Sequence, residues 1–346
     1  MNENSEITYY DAATLGSVVK FHAATSQPLI IVGPPGVGKS EIVRDASEED
    51  DREVIYFDTS SSEPTDIGGL PFPTTDENGN TVLNRLLFEK LRNTSKRVTL
   101  FFDELYQGRP EMLNAVAPVF LERRLGDYKL PDNVWVVGAT NRKEDRAGVT
   151  RPPSHLPNRV TVVGLSFESE AWRKWAIHHG MPSALTGFAA FRPSVLFDFD
   201  PLRQVNATPR QWAWVGRYFD KLWELPAPAR MATLAGRVGG GPAAEFVAFV
   251  EARDGLPTVD EILIDPRAAK VPEVRRLDLA YAITCAIAER TNKKTLKPLA
   301  AYMDRLPQEF QILWLRDTLL HNGNSLLSVP EFTKLCAKHR NLVLSD

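Results

Sequence analysis

A chain of 346 residues with 43% hydrophobic and 25% charged side chains has the make-up of a soluble globular protein, and its length is that of two domains or three. The net charge of −3 sets up no basic field of the kind that announces nucleic acid, although a narrow basic channel within an assembly stays open. Cys285 and Cys336 lie far apart without CxxC spacing and read as buried thiols of a reducing cytosol; no signal-peptide core marks residues 1–10 and no run has the length of a membrane span, so a cytoplasmic protein with no membrane contact is expected.

In chain order, residues 12–26 read as a helix with Leu15, Val18, Val19 and His22 on one face. The apolar run 28–32 reads as a buried parallel strand. It leads into Gly33, Pro34, Pro35, Gly36, Val37, Gly38, Lys39 and Ser40, which is G-x-x-x-x-G-K-[ST] spacing with a strand before and a helix after. The glycines let the backbone curl so that its N–H groups converge. The next helix adds the positive end of its dipole. Lys39 supplies a charge for β- and γ-phosphates and Ser40 a hydroxyl for Mg2+. A plain glycine turn between strand and helix leaves the lysine and serine unexplained. The helix should run to about Ser47, with the acidic residues 48–51 as a solvated end, and residues 53–57 form a second strand ending at Asp58.

Residues 59–83 are turn-rich. Asn78-Gly79 between short extended runs is a hairpin signal, so an inserted hairpin is expected before a helix over 84–93; a plain surface loop is the alternative. Residues 97–102 form a third apolar strand that ends in Asp103-Glu104. Adjacent carboxylates at the carboxyl end of a buried strand need cations, and that is where α/β folds bind ligands. An acidic pair at a strand end is ordinary by itself; after a phosphate loop, Asp103 is placed to orient Mg2+ and Glu104 to polarise an attacking water. A helix over 111–122 turns Leu113, Val116, Ala117 and Phe120 inward, and Arg123-Arg124 reads as compensation of its dipole. A fourth strand, 134–138, is followed by Ala139-Thr140-Asn141-Arg142, whose amide can meet the attacking water or the γ-phosphate. Arg159 precedes a further strand, 160–163.

Beyond residue 165 only helices are expected: 166–180, 183–192, 209–224, 243–252, 275–290 and 307–320. Thr208-Pro209 fits a helix N-cap followed by proline at the first helical position. Trp212 and Trp214 read as core packing rather than base-stacking platforms. His178-His179 has no partner at metal-ligand spacing. Residues 236–242 read as a helix end and a new helix start rather than a second phosphate loop, and 256–272, punctuated by prolines, as a surface wrap.

Taken together the motifs resemble those of an AAA+ ATPase. Gly33 to Ser40 is similar to its Walker A motif, Thr99 to Glu104 to Walker B, Ala139-Thr140-Asn141 to sensor 1, Leu156-Pro157-Asn158-Arg159 to the arginine-finger segment and Ala207-Thr208-Pro209-Arg210 to sensor 2. Within that family the MoxR branch of the helix-2-insert group is the nearest resemblance: Thr65-Asp66-Ile67-Gly68-Gly69 with the hairpin to Leu83 looks like the insert, and Leu121 to Asp127 with Leu130-Pro131 like the segment before the fourth strand. Leu105-Tyr106-Gln107-Gly108 departs from the Ile-Asn-Arg-Ala that many MoxR proteins carry there, and past residue 225 the resemblance is faint.

The resemblance implies an α/β P-loop core over residues 1–165, a parallel sheet with helices on both faces and the insert at about 63–83. An all-helical lid over 166–225 and a helical C-terminal extension over 226–346 follow. It implies ATP and Mg2+ as cofactors. The nucleotide would be held by residues 33–40, Glu41 and Asp103, and the metal by Ser40 and Asp103. Glu104, Asn141, Arg159 and Arg210 would be catalytic. Arg151 and Arg142 rival Arg159 as the finger, and Arg210 could act in its own subunit or on a neighbour's nucleotide. An arginine finger contributes about three to five orders of magnitude in rate, so slow hydrolysis by an isolated subunit is expected.

The implied function is Mg-dependent ATP hydrolysis in a homo-oligomeric, hexameric ring that remodels a partner protein, with a von Willebrand factor A domain protein as a possible adaptor. A nucleic-acid motor or loader of AAA+ type is the alternative, but residues 63–83 hold acids and no lysine or arginine, unlike a strand-binding pore. A nucleotide-gated scaffold with little turnover does not need Glu104 and Asn141.

Overall fold

The computed structural model describes residues 7–86, 96–126, 128–145 and 159–339. Two compact units divide the chain between Phe167 and Glu168.

In the first unit the strands are β1 (Tyr9–Tyr10), β2 (Leu29–Val32), β3 (Arg52–Asp58), β4 (Leu70–Thr75), β5 (Thr81–Leu86), β6 (Arg97–Asp103), β7 (Arg124–Leu125), β8 (Tyr128–Lys129), β9 (Val134–Thr140) and β10 (Thr161–Leu165). Six of them form one parallel sheet in the order β1-β10-β2-β9-β6-β3. Every residue of β2 and β9 is buried, as a parallel strand covered on both faces requires. Alternation sorts the side chains into two cores. Ile30, Val32, Leu100, Phe102 and Val136 pack with Met112, Leu113, Val116 and Phe120; Leu29, Ile31, Phe101, Val137 and Ala139 pack with Leu15, Val19, Val43 and Ala46. The helices that supply these partners are α1 (Ala12–Thr25), α2 (Lys39–Glu49) and, after the short α3 (Pro64–Gly68), α4 (Pro110–Glu122). Gly138 is required by this packing, because a Cβ there would lie 2.7 Å from Leu105 Cδ2 and 3.1 Å from Phe120 Cζ. Register pairs Val32 with Thr140 and Asp58 with Asp103, so the carboxyl ends of β2, β9, β6 and β3 open at one edge of the sheet.

Three sequence expectations change here. The helix expected from residue 84 does not start there: 84–86 continue β5, with Leu70 opposite Leu86, and residues 87–93 lie outside the described residues. The hairpin turn is built by Asp76, whose carboxylate accepts from the N–H groups of Asn78 at 2.9 Å and Asn80 at 2.8 Å, an Asx turn. The acidic end of α2 is not simply solvated, since Asp50 pairs with Arg52 at 2.6 Å and also with Arg97. Arg123 does more than compensate a dipole. It takes the left-handed C-cap position, and its guanidinium donates to the carbonyls of Ser26 at 3.1 Å, Pro131 at 2.7 Å and Val134 at 2.8 Å.

The second unit is helical: α5 (Ser169–His178), α6 (Ser183–Phe191), α7 (Pro209–Arg217), α8 (Phe219–Glu224), α9 (Ala227–Val238), α10 (Gly240–Ala252), α11 (Val259–Ile264), α12 (Leu277–Arg290), α13 (Leu296–Met303), α14 (Gln308–Asn322) and α15 (Pro330–Lys338). The expected helix 209–224 breaks at Tyr218 into two, the stretch 256–272 contains α11, and α13 and α15 were not legible beforehand. Trp212 is fully buried against Phe188 and Phe246 and donates its indole N–H to the Val195 carbonyl at 3.1 Å, which makes it a core residue. A buried ion pair joins Arg173 of α5 to Asp317 of α14 at 2.8 Å. Among the described residues no helix is long and apolar enough to cross a membrane.

Candidate active site

The turn after β2 is built as its sequence requires. Gly33 donates its N–H to the Thr140 carbonyl at 3.1 Å, extending the pairing with β9 by one residue. Gly36 and Gly38 adopt φ of 71° and 108°, open to glycine and strained for other residues. Gly38 caps α2 without a side-chain hydrogen bond, and Lys39, Ser40 and Glu41 form the first turn. Lys39 is 7% exposed. Its ammonium folds back over the loop and donates to the carbonyls of Gly33 at 2.8 Å and Pro34 at 3.0 Å, and to Asn141 Oδ1 at 2.8 Å. A buried ammonium needs acceptors of this kind to offset desolvation.

Across the turn, Ser40 Oγ donates to Asp103 Oδ2 at 2.7 Å. Asp103 also accepts the Glu104 N–H at 3.0 Å and the Tyr56 hydroxyl at 3.4 Å. Burial, followed by the Asp103 charge, pushes the Tyr56 phenol up to about 12. Glu104 turns into the left-handed region at φ 52° and ψ 37°, and its Oε2 accepts from Asn141 Nδ2 at 2.8 Å. Asn141, 5% exposed, thus joins the Lys39 ammonium to the Glu104 carboxylate through the two ends of one amide. Ser40 and Asp103 are hard oxygen donors in mutual contact, a donor set suited to Mg2+.

The remaining expected site residues are placed as follows. Arg159 is exposed in the turn before β10. Arg142 is tied to Asp145, with Nη2 at 2.7 Å and Nε at 3.1 and 3.2 Å from its carboxylate, and this hydrogen bonding raises its pKa further. Arg151 and residues 156–158 lie outside the described residues. Arg210 is exposed at the second position of α7, in the second unit. Sequence reasoning missed Thr59, whose hydroxyl lies 2.7 Å from the Glu104 carbonyl and 2.9 Å from the Asp103 carbonyl. The signal was available in principle: β3 and β6 both end in aspartate, and in-register pairing places the next residue of β3 beside Glu104.

Residues 29–162 match the family model described as AAA, "ATPase family associated with various cellular activities". The first unit carries an AAA ATPase domain, and the chain is an ATP hydrolase. No curated protein sequence matches it. Among solved structures, the P216G mutant of RuvB from Thermotoga maritima is 14% identical, with 85% of this chain and 86% of that one covered, at a TM-score of 0.42. NtrX from Brucella abortus in complex with ATP is 14% identical, with 98% and 69% covered, at a TM-score of 0.39. Likenesses of this strength do not discriminate among functions.

Proposed function

We propose that the chain is a Mg-dependent AAA+ ATPase of MoxR type that assembles into a hexameric ring and uses ATP hydrolysis to remodel a partner protein. One observation carries the reading: the Lys39–Asn141–Glu104 chain stands beside the Ser40–Asp103 pair at the carboxyl ends of neighbouring parallel strands. In it, the loop over residues 33–40, through the N–H groups of residues 36–40, and Lys39 hold the phosphates, with Glu41 in the first turn behind them. Ser40 and Asp103 hold Mg2+, which when bound neutralises charge on the phosphate oxygens. An incoming γ-phosphate competes for the Lys39 ammonium and the Asn141 amide, and this frees Glu104 to accept a hydrogen bond from the attacking water. Water adds to the γ-phosphorus as its bond to the ADP oxygen breaks, and the water proton leaves toward Glu104.

Arg159 acts on the nucleotide of the neighbouring subunit and Arg210 contacts phosphate. The exposure of Arg159 and the engagement of Arg142 by Asp145 favour Arg159 as the finger. A protein client is favoured by the hairpin, where Leu70 is 60% and Leu83 77% exposed on opposite faces of the ribbon by register, apolar side chains for which a phosphate backbone has no use. A von Willebrand factor A domain protein as adaptor follows from the MoxR resemblance. The test is a trap. Tagged Glu104→Gln is purified with Mg-ATP from native lysate with nuclease controls. Retention of one specific protein with ATP and its release with ADP supports remodelling; nucleic acid retained instead, and lost as salt rises, replaces it with the motor reading.

A further inference from the structure

We infer that Thr59 is a positioning residue for hydrolysis: it fixes the backbone turn that aims the Glu104 carboxylate. The inference rests on the reading of Glu104 as the water-polarising group. Successive residues of a strand point to opposite faces, yet Asp103 meets Ser40 while its neighbour Glu104 meets Asn141 in the same site. The left-handed turn at Glu104 makes this possible. That conformation crowds the Cβ of any residue but glycine, so surrounding contacts must hold it.

Thr59 supplies them. Its N–H donates to the Asp103 carbonyl at 3.1 Å. Its hydroxyl, with a single proton, lies 2.7 Å from the Glu104 carbonyl and 2.9 Å from that of Asp103. The Gln107 N–H completes the Glu104 carbonyl at 2.9 Å. Thr59 is itself immobilised. It is 1% exposed, it follows the Asp58–Asp103 register pair, and it is backed by Gly108, where a Cβ would come within 2.9 Å of the Thr59 carbonyl. The Thr59 hydroxyl meets the carbonyls of the acidic pair, whereas Lys39 and Ser40 are held by other groups. The hydroxyl therefore acts on the turn that aims Glu104, through main-chain oxygens rather than through the side chains that meet phosphate.

The full chain, assembled at concentrations where the wild type turns over, is compared with Thr59→Val, Thr59→Ser and Glu104→Gln. Thr59→Val keeps the shape and removes the hydroxyl; kcat should fall about tenfold to a hundredfold, as expected for a misaimed reacting group, with KM and the affinity for a fluorescent ATP analogue within about twofold of wild type. Thr59→Ser restores the hydroxyl and should recover most of the rate. Should Thr59→Val not fold, Thr59→Ala takes its place. Wild-type kcat in the hydroxyl-free variant, no recovery in Thr59→Ser, or a parallel loss of nucleotide affinity would each overturn the inference. Glu104→Gln separates it from the reading beneath: turnover at the wild-type rate there sinks the role of Glu104 itself, whereas a dead Glu104→Gln beside a fully active Thr59→Val sinks the role of Thr59 alone.

Discussion

The Asn141 side chain donates to Glu104 at 2.8 Å and spends its other end on Lys39, also at 2.8 Å. A side-chain amide can do both, because its nitrogen donates while its oxygen accepts. Asn141→Asp keeps the acceptor for Lys39 and sets a second carboxylate against Glu104. Turnover should fall by about a hundredfold, the scale of losing one oriented donor at a reacting centre, with ATP binding retained. Phosphate release and nucleotide titration measure the two quantities separately; a variant that hydrolyses normally removes Asn141 from the mechanism.

Lys39→Met tests the other end of that chain. The Gly33 and Pro34 carbonyls and Asn141 lose a charged donor, and ATP loses its counter-charge. A charge-assisted hydrogen bond contributes about 1.5–3 kcal/mol, so nucleotide affinity should weaken about tenfold to more than a hundredfold, read by calorimetric titration. Unchanged affinity would move the nucleotide elsewhere.

The sheet and the phosphate loop were legible because their physics is local. A buried parallel strand is a continuous apolar run, as in Leu29–Val32 and Val134–Thr140, and the Gly33–Ser40 turn needs its glycines where the backbone turns left-handed. What escaped depends on distant groups. Arg123 draws carbonyls from three separate places, and nothing at Arg123 itself announces them. The hairpin pairs 84–86 with residues 70–72, which overrides local helical character. The break at Tyr218 and the contact of Thr59 with Glu104 are likewise set by packing and register.

In the helical unit, Arg173 and Asp317 are 2% and 1% exposed, and Asp317 also accepts from Cys285 Sγ at 3.5 Å. Removing one partner strands a buried charge, so Arg173→Met should destabilise the second unit by about 3–5 kcal/mol. Arg173→Met combined with Asp317→Leu leaves no stranded charge and should recover most of that loss. Urea unfolding measures both; a double variant as unstable as the single one would show that packing, not charge, is at stake.

Tyr106 and Tyr302 are both pushed up to about 12 by burial, and Tyr302 donates its hydroxyl proton to the Lys270 carbonyl at 2.8 Å. The folded state holds these protons more tightly than the unfolded chain, whose tyrosines ionise near their ordinary value of about 10. Their stabilising contribution is complete below about pH 10 and is lost as pH rises toward about 12, by roughly 2–3 kcal/mol for each fully buried phenol. Urea midpoints at rising pH should fall through this window, and less steeply in Tyr302→Phe. A flat profile would contradict the burial of these phenols.

The most direct measurement is the fate of bound ATP in Glu104→Gln. Glutamine keeps the shape and a hydrogen-bonding end but cannot take the water proton. With radiolabelled ATP and Mg2+ under single-turnover conditions, the variant should bind ATP with wild-type affinity and convert it to ADP at least about a hundredfold more slowly, the lower range of general-base contributions. Bound ATP hydrolysed at the wild-type rate would contradict the account at its centre.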